Sequence, residues 1–212
     1  IVLGFVFGAI VLAVAGYNPL EAYKVLFNGI FGRPRYMAQT IITATPIIIT
    51  GISVTFAYKT GLFNIGADGQ FMVGAVAAAY IGYFWDLPPV IHPIAVIIGA
   101  MLASGLYGSL VGVLKAKYGI NEVLTSIMLN WIALYFNNFY ISLPGVKKPN
   151  TEASYEVLQS AYITVMQNLK STPEGLERIK AFPFASDIIL RTDLNYGIII
   201  AIVCAVIVWY LL

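Results

Sequence analysis

Three side chains that could bind a polar solute lie in one short, glycine-containing segment of the chain. Residues 60–70 read TGLFNIGADGQ, and the polar groups belong to Asn64, Asp68 and Gln70. Amides both donate and accept hydrogen bonds, which suits hydroxyl groups and the edges of heterocycles. The segment joins two long apolar runs. Because lipid satisfies none of its polar groups, it either lines a water-filled cavity or lies buried in protein. The alternative is a solvated turn between two spans.

Asp68 and Phe63 allow more than one role within this segment. An unpaired carboxylate at membrane depth is costly, so we expect Asp68 to pair with Lys59 at the mouth of the cavity. Phe63 could stack on an aromatic solute or anchor the segment in the core, and anchoring is the commoner use of a phenylalanine.

A second set of polar residues repeats along the apolar run Ile120–Ser142. Glu122, Ser126 and Asn130 are spaced four apart, and Asn137 follows at seven. At about 100° per residue, these positions share one narrow face of a helix. A polar face on a membrane-spanning helix must meet protein or water. It either lines a permeation path or bonds to neighbouring helices, and we favour the path for Asn130.

Two further patterns indicate structure rather than permeation. Glu122 follows Lys115 and Lys117 closely in the sequence, which predicts a structural ion pair near one end of these helices. Gly108–Gly112 is a ridge of small residues that lets another helix backbone approach closely. We assign neither pattern a role in the path.

The composition indicates a membrane protein with several spans. Of the 212 residues, 59% are hydrophobic and 10% are charged, and the mean hydropathy is +0.83. A soluble domain has about 45–50% apolar and about 25% charged residues. The net charge of +2 is too small to indicate nucleic-acid binding. One histidine, His92, expected in a proline-rich loop, and one cysteine, Cys204, argue against a metal cluster or a histidine-based catalytic site.

Six apolar segments are candidates for membrane spans, which need about 20 residues each. They are Ile1–Ala15, Tyr36–Tyr58, Phe71–Trp85, Ile94–Leu114, Ile120–Ser142 and Tyr196–Leu212. We expect the first and last to be parts of longer helices, which makes residues 1–212 a partial transmembrane domain. Phe71–Trp85 is too short to cross alone, so segment 60–70 would enter the membrane with it as a broken or re-entrant helix. The sequence therefore predicts an all-α polytopic membrane protein.

The region 143–195 is the one large polar connection between the predicted spans. Its acidic and basic residues balance, and prolines on either side leave room for a short surface helix at Ser154–Leu169. The region could receive a partner protein or form a solvated lid without one. Positive residues flank the spans equally on both sides, so charge alone does not orient the chain.

Two blocks of sequence resemble a known transport family. ATPIIITGISVTFAYK at 44–59 runs directly into segment 60–70, and GINEVLTSIMLNWIA lies at 119–133. Both are similar to permease subunits of bacterial ABC importers for nucleosides, in the wider family of branched-chain amino acid, simple sugar and nucleoside permeases. Within these blocks only Asp68 and Trp131 depart from the pattern, where we expect Glu and Tyr.

The resemblance implies a multi-pass subunit of the bacterial plasma (inner) membrane that carries nucleosides and is neither an enzyme nor a holder of cofactors. It implies four partners: a second permease subunit, a cytoplasmic ATP-binding subunit, an extracytoplasmic solute-binding lipoprotein and the lipid bilayer. It places 143–195 outside the cytoplasm as an extracytoplasmic loop. The sequence has no GxxxxGK[ST] loop, so ATP hydrolysis is expected on the partner. The candidate substrate path is formed by Asn64, Asp68, Gln70 and Asn130.

Two alternatives to nucleoside transport remain at this point. The same fold could carry a simple sugar or a branched-chain amino acid. An intramembrane enzyme is the third possibility, and the lack of a second histidine or cysteine argues against it.

Overall fold

A computed structural model describes residues 1–163, 172–190, 192 and 195–212. The regular secondary structure of this part is helical, and an isolated β-bridge joins Lys147 and Ser154. The α-helices are α1 (Val2–Val14), α2 (Pro19–Phe31), α3 (Pro34–Lys59), α4 (Ala67–Phe84), α5 (Ile91–Tyr118), α6 (Glu122–Ser142), α7 (Pro173–Lys180), α8 (Pro183–Ile189) and α9 (Gly197–Leu211). A 3₁₀ turn occupies Gln159–Ala161. The all-α prediction is confirmed for the described residues.

The chain divides into two compact units. One contains Ile1–Thr45 and Thr164–Ile198, and the other contains Pro46–Ile163 and Ile199–Leu212. All four candidate path residues belong to the second unit, which therefore positions the site.

Helix α4 is the central packing element of the second unit, against α5 and then α6. Gly74 allows the close approach to α5, because a Cβ at this position would lie 3.4 Å from both the carbonyl oxygen of Ala100 and the Cβ of Ser104. Val76 and Tyr140 form a small core with Val146, which follows α6. The packing thus fixes α4 between the two helices that follow it.

Two of the described helices, α3 and α5, are long and apolar enough to cross a membrane, with mean hydropathies of 1.7 and 2.0. Only 6% of each apolar stretch is buried inside the chain, so most of this apolar surface is available to lipid or to a partner. Helices α1 and α9 are shorter and apolar. Helices α4 and α6, of 18 and 21 residues, coincide with predicted spans but are less apolar than the apolar stretches of α3 and α5.

Helix α2 was not predicted, although its start signal is present in the sequence. The Asn18 side chain accepts a hydrogen bond from the backbone nitrogen of Leu20 at 3.0 Å, and Pro19 occupies the first turn. An asparagine cap followed by proline is a common helix start.

The surface helix predicted at Ser154–Leu169 is wrong for the described residues up to 163. Ser154 forms the β-bridge with Lys147, and only Gln159–Ala161 forms a helical turn. Leu158 explains the difference, because its backbone nitrogen donates to the carbonyl oxygen of Gly82 at the end of α4, at 2.8 Å. Residues 164–169 lie outside the described residues.

Candidate functional site

Helix α3 ends at a glycine-dependent turn that opens the non-helical segment 60–66. Gly61 has a left-handed backbone with a φ of 82°. Its nitrogen bonds to the carbonyl oxygen of Tyr58 at 3.1 Å, and the nitrogen of Leu62 bonds to that of Ala57 at 2.9 Å. This pair of bonds is a Schellman motif, which satisfies the last carbonyls of a helix. The chain therefore leaves α3 sharply and does not become helical again until Ala67.

An ion pair holds the first part of this segment against the junction of α5 and α6. Lys115 Nζ lies 2.6 Å from Glu122 Oε1 and donates to the carbonyl oxygen of Gly61 at 3.3 Å. Asn121 caps α6 by accepting from the nitrogen of Val123 at 2.9 Å, which places Glu122 in the first helical turn. The ion pair predicted for Glu122 is confirmed, with Lys115 as the partner.

Asn130 holds the other end of the segment. Its Oδ1 accepts from the backbone nitrogen of Gly69 at 2.9 Å, and its Nδ2 donates to the carbonyl oxygen of Ile65 at 3.1 Å. A Cβ at position 69 would lie 2.8 Å from Asn130 Oδ1 and 3.1 Å from Asn130 Cα. Only glycine fits so close to Asn130. The Asn130 side chain therefore fixes the start of α4 by bonding to the α4 backbone.

The two attachments lie at different heights along α6. Asn130 follows Glu122 by eight residues, which corresponds to about 12 Å along a helix axis. Helix α4 therefore begins about two turns farther along α6 than the ion pair. Between these heights lies Ser126, which is completely buried and whose Oγ has no hydrogen-bond partner among the described residues. A Cβ on Gly66 would come within 3.3 Å of that hydroxyl.

Asn64 and Gln70 form a reciprocal amide pair across the start of α4. Asn64 Nδ2 donates to Gln70 Oε1 at 3.3 Å, and Gln70 Nε2 donates to Asn64 Oδ1 at 3.2 Å. The same Asn64 oxygen accepts from the nitrogen of Gly66 at 3.0 Å. The ridge predicted around Gly108 makes room for this pair, because a Cβ there would lie 3.0 Å from the Gln70 amide. It accommodates a side chain rather than a second backbone.

Asp68 is exposed and has no ion-pair or hydrogen-bond partner among the described residues. The pair expected with Lys59 is not formed. Lys59 borders a different cavity, together with Thr55 and Trp209, from the one that Asp68 borders.

Two cavities adjoin the non-helical segment within the second unit. The first has a volume of about 630 Å³ and includes Thr50, Phe63, Asn64 and Asp68 in its wall. The second has a volume of about 600 Å³, and its wall includes Phe63, Asn64, Gln70 and Ser104. Phe63 and Asn64 thus border both cavities, with Asp68 facing one and Gln70 the other. Both volumes suit a small organic solute.

A second buried polar contact lies at the opposite end of α4 and was not predicted. His92 is completely buried in the first turn of α5, not in a loop as expected. Its Nδ1 lies 2.8 Å from Ser160 Oγ, and its Nε2 lies 3.1 Å from the carbonyl oxygen of Ile81. A carbonyl only accepts, so Nε2 carries the proton and the Ser160 hydroxyl donates to Nδ1. The ring attaches residues 159–161 to α4 and α5.

Comparison with known proteins identifies the family of the chain. Residues 36–212 match the family described as the branched-chain amino acid transport system / permease component. The chain belongs to this family. Membership makes it a membrane permease component rather than an enzyme, as predicted. No group of histidine, cysteine, aspartate or glutamate in the described part of the permease could hold a metal ion.

Three relatives whose names state the transported solute match different fractions of this chain. It is 38% identical over all 212 residues to the guanosine ABC transporter permease protein NupP of Bacillus subtilis, covering 56% of that protein. It is 34% identical over 209 residues, 98% of this chain and 54% of the relative, to the nucleoside ABC transporter permease protein NupB of Lactococcus lactis. The glucose ABC transporter permease protein TsgB13 of Haloferax volcanii is 29% identical over 137 residues, 65% of this chain and 36% of the relative.

The chain spans about half the length of the curated relatives that it matches over its whole extent. No solved structure matches it. The resemblance drawn from the blocks at 44–70 and 119–133 is confirmed at the level of the permease family. The roles of Asn64, Asp68, Gln70 and Asn130 in a substrate path stay predictions.

Proposed function

We propose that this chain is the substrate-translocating part of a permease subunit in an ATP-driven importer of nucleosides. The observation that carries the proposal is the similarity over 98–100% of the chain to two permeases named for guanosine and for nucleosides. The match to the glucose permease is weaker and covers 65% of the chain. The site is compatible with such a cargo, because an aromatic ring, amides and a carboxylate border cavities of about 630 and 600 Å³.

The non-helical segment 60–66 enters the membrane from the side that carries Lys59 and Lys115. Support comes from α6, along which the segment runs for about 12 Å before α4 begins. Irregular backbone at such a depth is tolerated where it lines a cavity, and both cavities border it. The proposal treats α4 as a discontinuous helix whose first turn reaches the substrate path.

The four candidate residues take different parts in this path. Asn64, Asp68 and Gln70 border the cavities and contact the solute. Asn130 positions the segment and the start of α4 rather than contacting the solute, because both polar atoms of its amide are bonded to the backbone of Ile65 and Gly69.

The working transporter requires partners that this chain does not supply. We propose a second permease subunit, a cytoplasmic ATP-binding subunit and an extracytoplasmic solute-binding lipoprotein, in the plasma (inner) membrane of a bacterium. The exposed apolar surfaces of α3 and α5 provide contacts for lipid or for the second permease. The region 143–195 lies outside the cytoplasm, where the lipoprotein would dock.

Uptake by a deletion strain tests this function. Cells lacking the full-length gene, with its partner genes intact, are complemented with the gene or with an empty vector. Import of labelled guanosine should depend on the gene, while import of labelled glucose and leucine should not. Gene-dependent import of glucose or leucine without guanosine would reject nucleosides in favour of the alternative cargoes.

A further inference from the structure

Asp68 differs from the other polar residues of the site in having all its hydrogen-bonding capacity unused. Asn64 and Gln70 bond to each other, and Asn130 bonds to backbone. Among the described residues, neither an ion pair nor a hydrogen bond involves the Asp68 side chain. It borders the cavity of about 630 Å³, whose wall is otherwise mostly apolar.

The carboxylate of Asp68 needs hydrogen-bond donors that the described part of the chain does not supply. It lies in the first turn of α4, where the helix dipole stabilises negative charge. Lys59 forms no ion pair with it within the described part of the chain. A carboxylate only accepts hydrogen bonds. Water or a solute with donor groups must therefore supply its partners.

A ribonucleoside carries two adjacent donors that match this carboxylate. The 2′- and 3′-hydroxyl groups of ribose lie side by side and can each donate to one carboxylate oxygen. Phe63 borders the same cavity and is 48% exposed, which leaves its ring available to stack on the base. Bases present mixtures of donors and acceptors at their edges, so only some of them suit a group that solely accepts.

Building on the nucleoside transport proposed above, we propose that Asp68 binds the 2′,3′-hydroxyl pair of the ribose as the nucleoside passes. Asp68 thereby selects ribonucleosides over 2′-deoxyribonucleosides, whichever base they carry. The carboxylate then serves as a specificity-determining group within the permease itself.

Paired transport measurements isolate this contact. The full-length permease and its partner subunits import guanosine, 2′-deoxyguanosine or inosine, as the parental protein or as Asp68→Asn. The asparagine is isosteric but lacks one acceptor and the charge. The preference of the solute-binding protein is the same in both transporters, so it cancels when the ribose-to-deoxyribose ratios of the two are divided. Asp86→Asn removes a carboxylate just beyond the other end of α4 and is the matched control.

The proposal expects Asp68→Asn to lower guanosine and inosine uptake about tenfold while 2′-deoxyguanosine uptake changes much less. Asp68→Glu should retain the ribose preference, and Asp86→Asn should behave like the parent, at equal membrane levels. An equal loss for guanosine and 2′-deoxyguanosine would overturn the assignment. A loss for guanosine that spares inosine would also overturn it and would assign Asp68 to the base. A parental transporter that imports no nucleoside would instead reject the proposed function, and this assignment with it.

Discussion

Asn130 Oδ1 accepts a hydrogen bond from the backbone nitrogen of Gly69 at 2.9 Å, across 61 positions of sequence. The other end of the same amide donates to the carbonyl oxygen of Ile65. One side chain therefore sets both the end of the non-helical segment and the start of α4. This contact therefore positions the start of α4 beside the candidate path.

Replacing Asn130 by leucine should damage both structure and uptake. The change leaves the nitrogen of Gly69 and the carbonyl oxygen of Ile65 unpaired. Each unpaired group should lower the free energy of unfolding by about 1–3 kcal/mol. We expect a lower melting temperature of the purified transporter and at least tenfold slower nucleoside uptake. Asn137→Leu is the control on the same face of α6. Parental stability and uptake in Asn130→Leu would show that the contact does not position α4.

Adding one methyl group at Gly69 should have a similar effect from the other side of the contact. The alanine Cβ would lie 2.8 Å from Asn130 Oδ1 and 3.1 Å from its Cα. Backbone must move to relieve this overlap, which typically costs about 1–3 kcal/mol. The melting temperature and the uptake rate should both fall. Gly29→Ala in α2 has open space around it and should be neutral, and a neutral Gly69→Ala would contradict the close approach.

The reciprocal amide pair predicts non-additive substitutions. Asn64→Leu or Gln70→Leu alone leaves the partner amide without its bond, so each should lower uptake by about tenfold. The double variant removes both amides together and should lose less than the sum of the two single changes. Uptake assays at matched membrane levels measure the coupling. Strict additivity would mean that each amide acts independently of the other.

Truncating His92 should release the residues around Ser160 from the end of α4. His92→Ala removes two buried hydrogen bonds and leaves a cavity, with an expected loss of about 2 kcal/mol or more. A cysteine at Ala161, which is buried in the intact turn, should then react faster with a soluble thiol reagent. Gln159→Ala, in the same turn but exposed, should leave the labelling rate unchanged. If His92→Ala also leaves it unchanged, this contact does not hold the segment.

Labelling of single cysteines tests the orientation of the chain. In a background with Cys204→Ala, we expect an impermeant reagent outside intact cells to modify Thr151→Cys and not Lys117→Cys. Both positions are exposed, so access depends on the side of the membrane. The reverse pattern would invert the orientation, and modification of both positions would break the count of spans.

The sequence predicts the elements of this protein better than the contacts between them. Long apolar runs locate α3 and α5 closely, because hydrophobicity and length are properties of a single stretch. The Lys115–Glu122 pair was predictable since the partners are seven residues apart across one turn. No local pattern links Asn130 to Gly69, and the helix predicted at Ser154–Leu169 fails because Leu158 bonds to α4 instead. Such contacts depend on packing that a single sequence does not display.

Both ends of segment 60–66 are attached to the same helix, at Glu122 through Lys115 and at Asn130. The number of residues between these two attachments therefore sets how far segment 60–66 extends along α6. A tilt of α6 would carry the segment with it and keep its shape, while one inserted residue would turn Asn130 by about 100° away from Gly69. We therefore expect segment 60–66 to move together with α6 rather than to open independently.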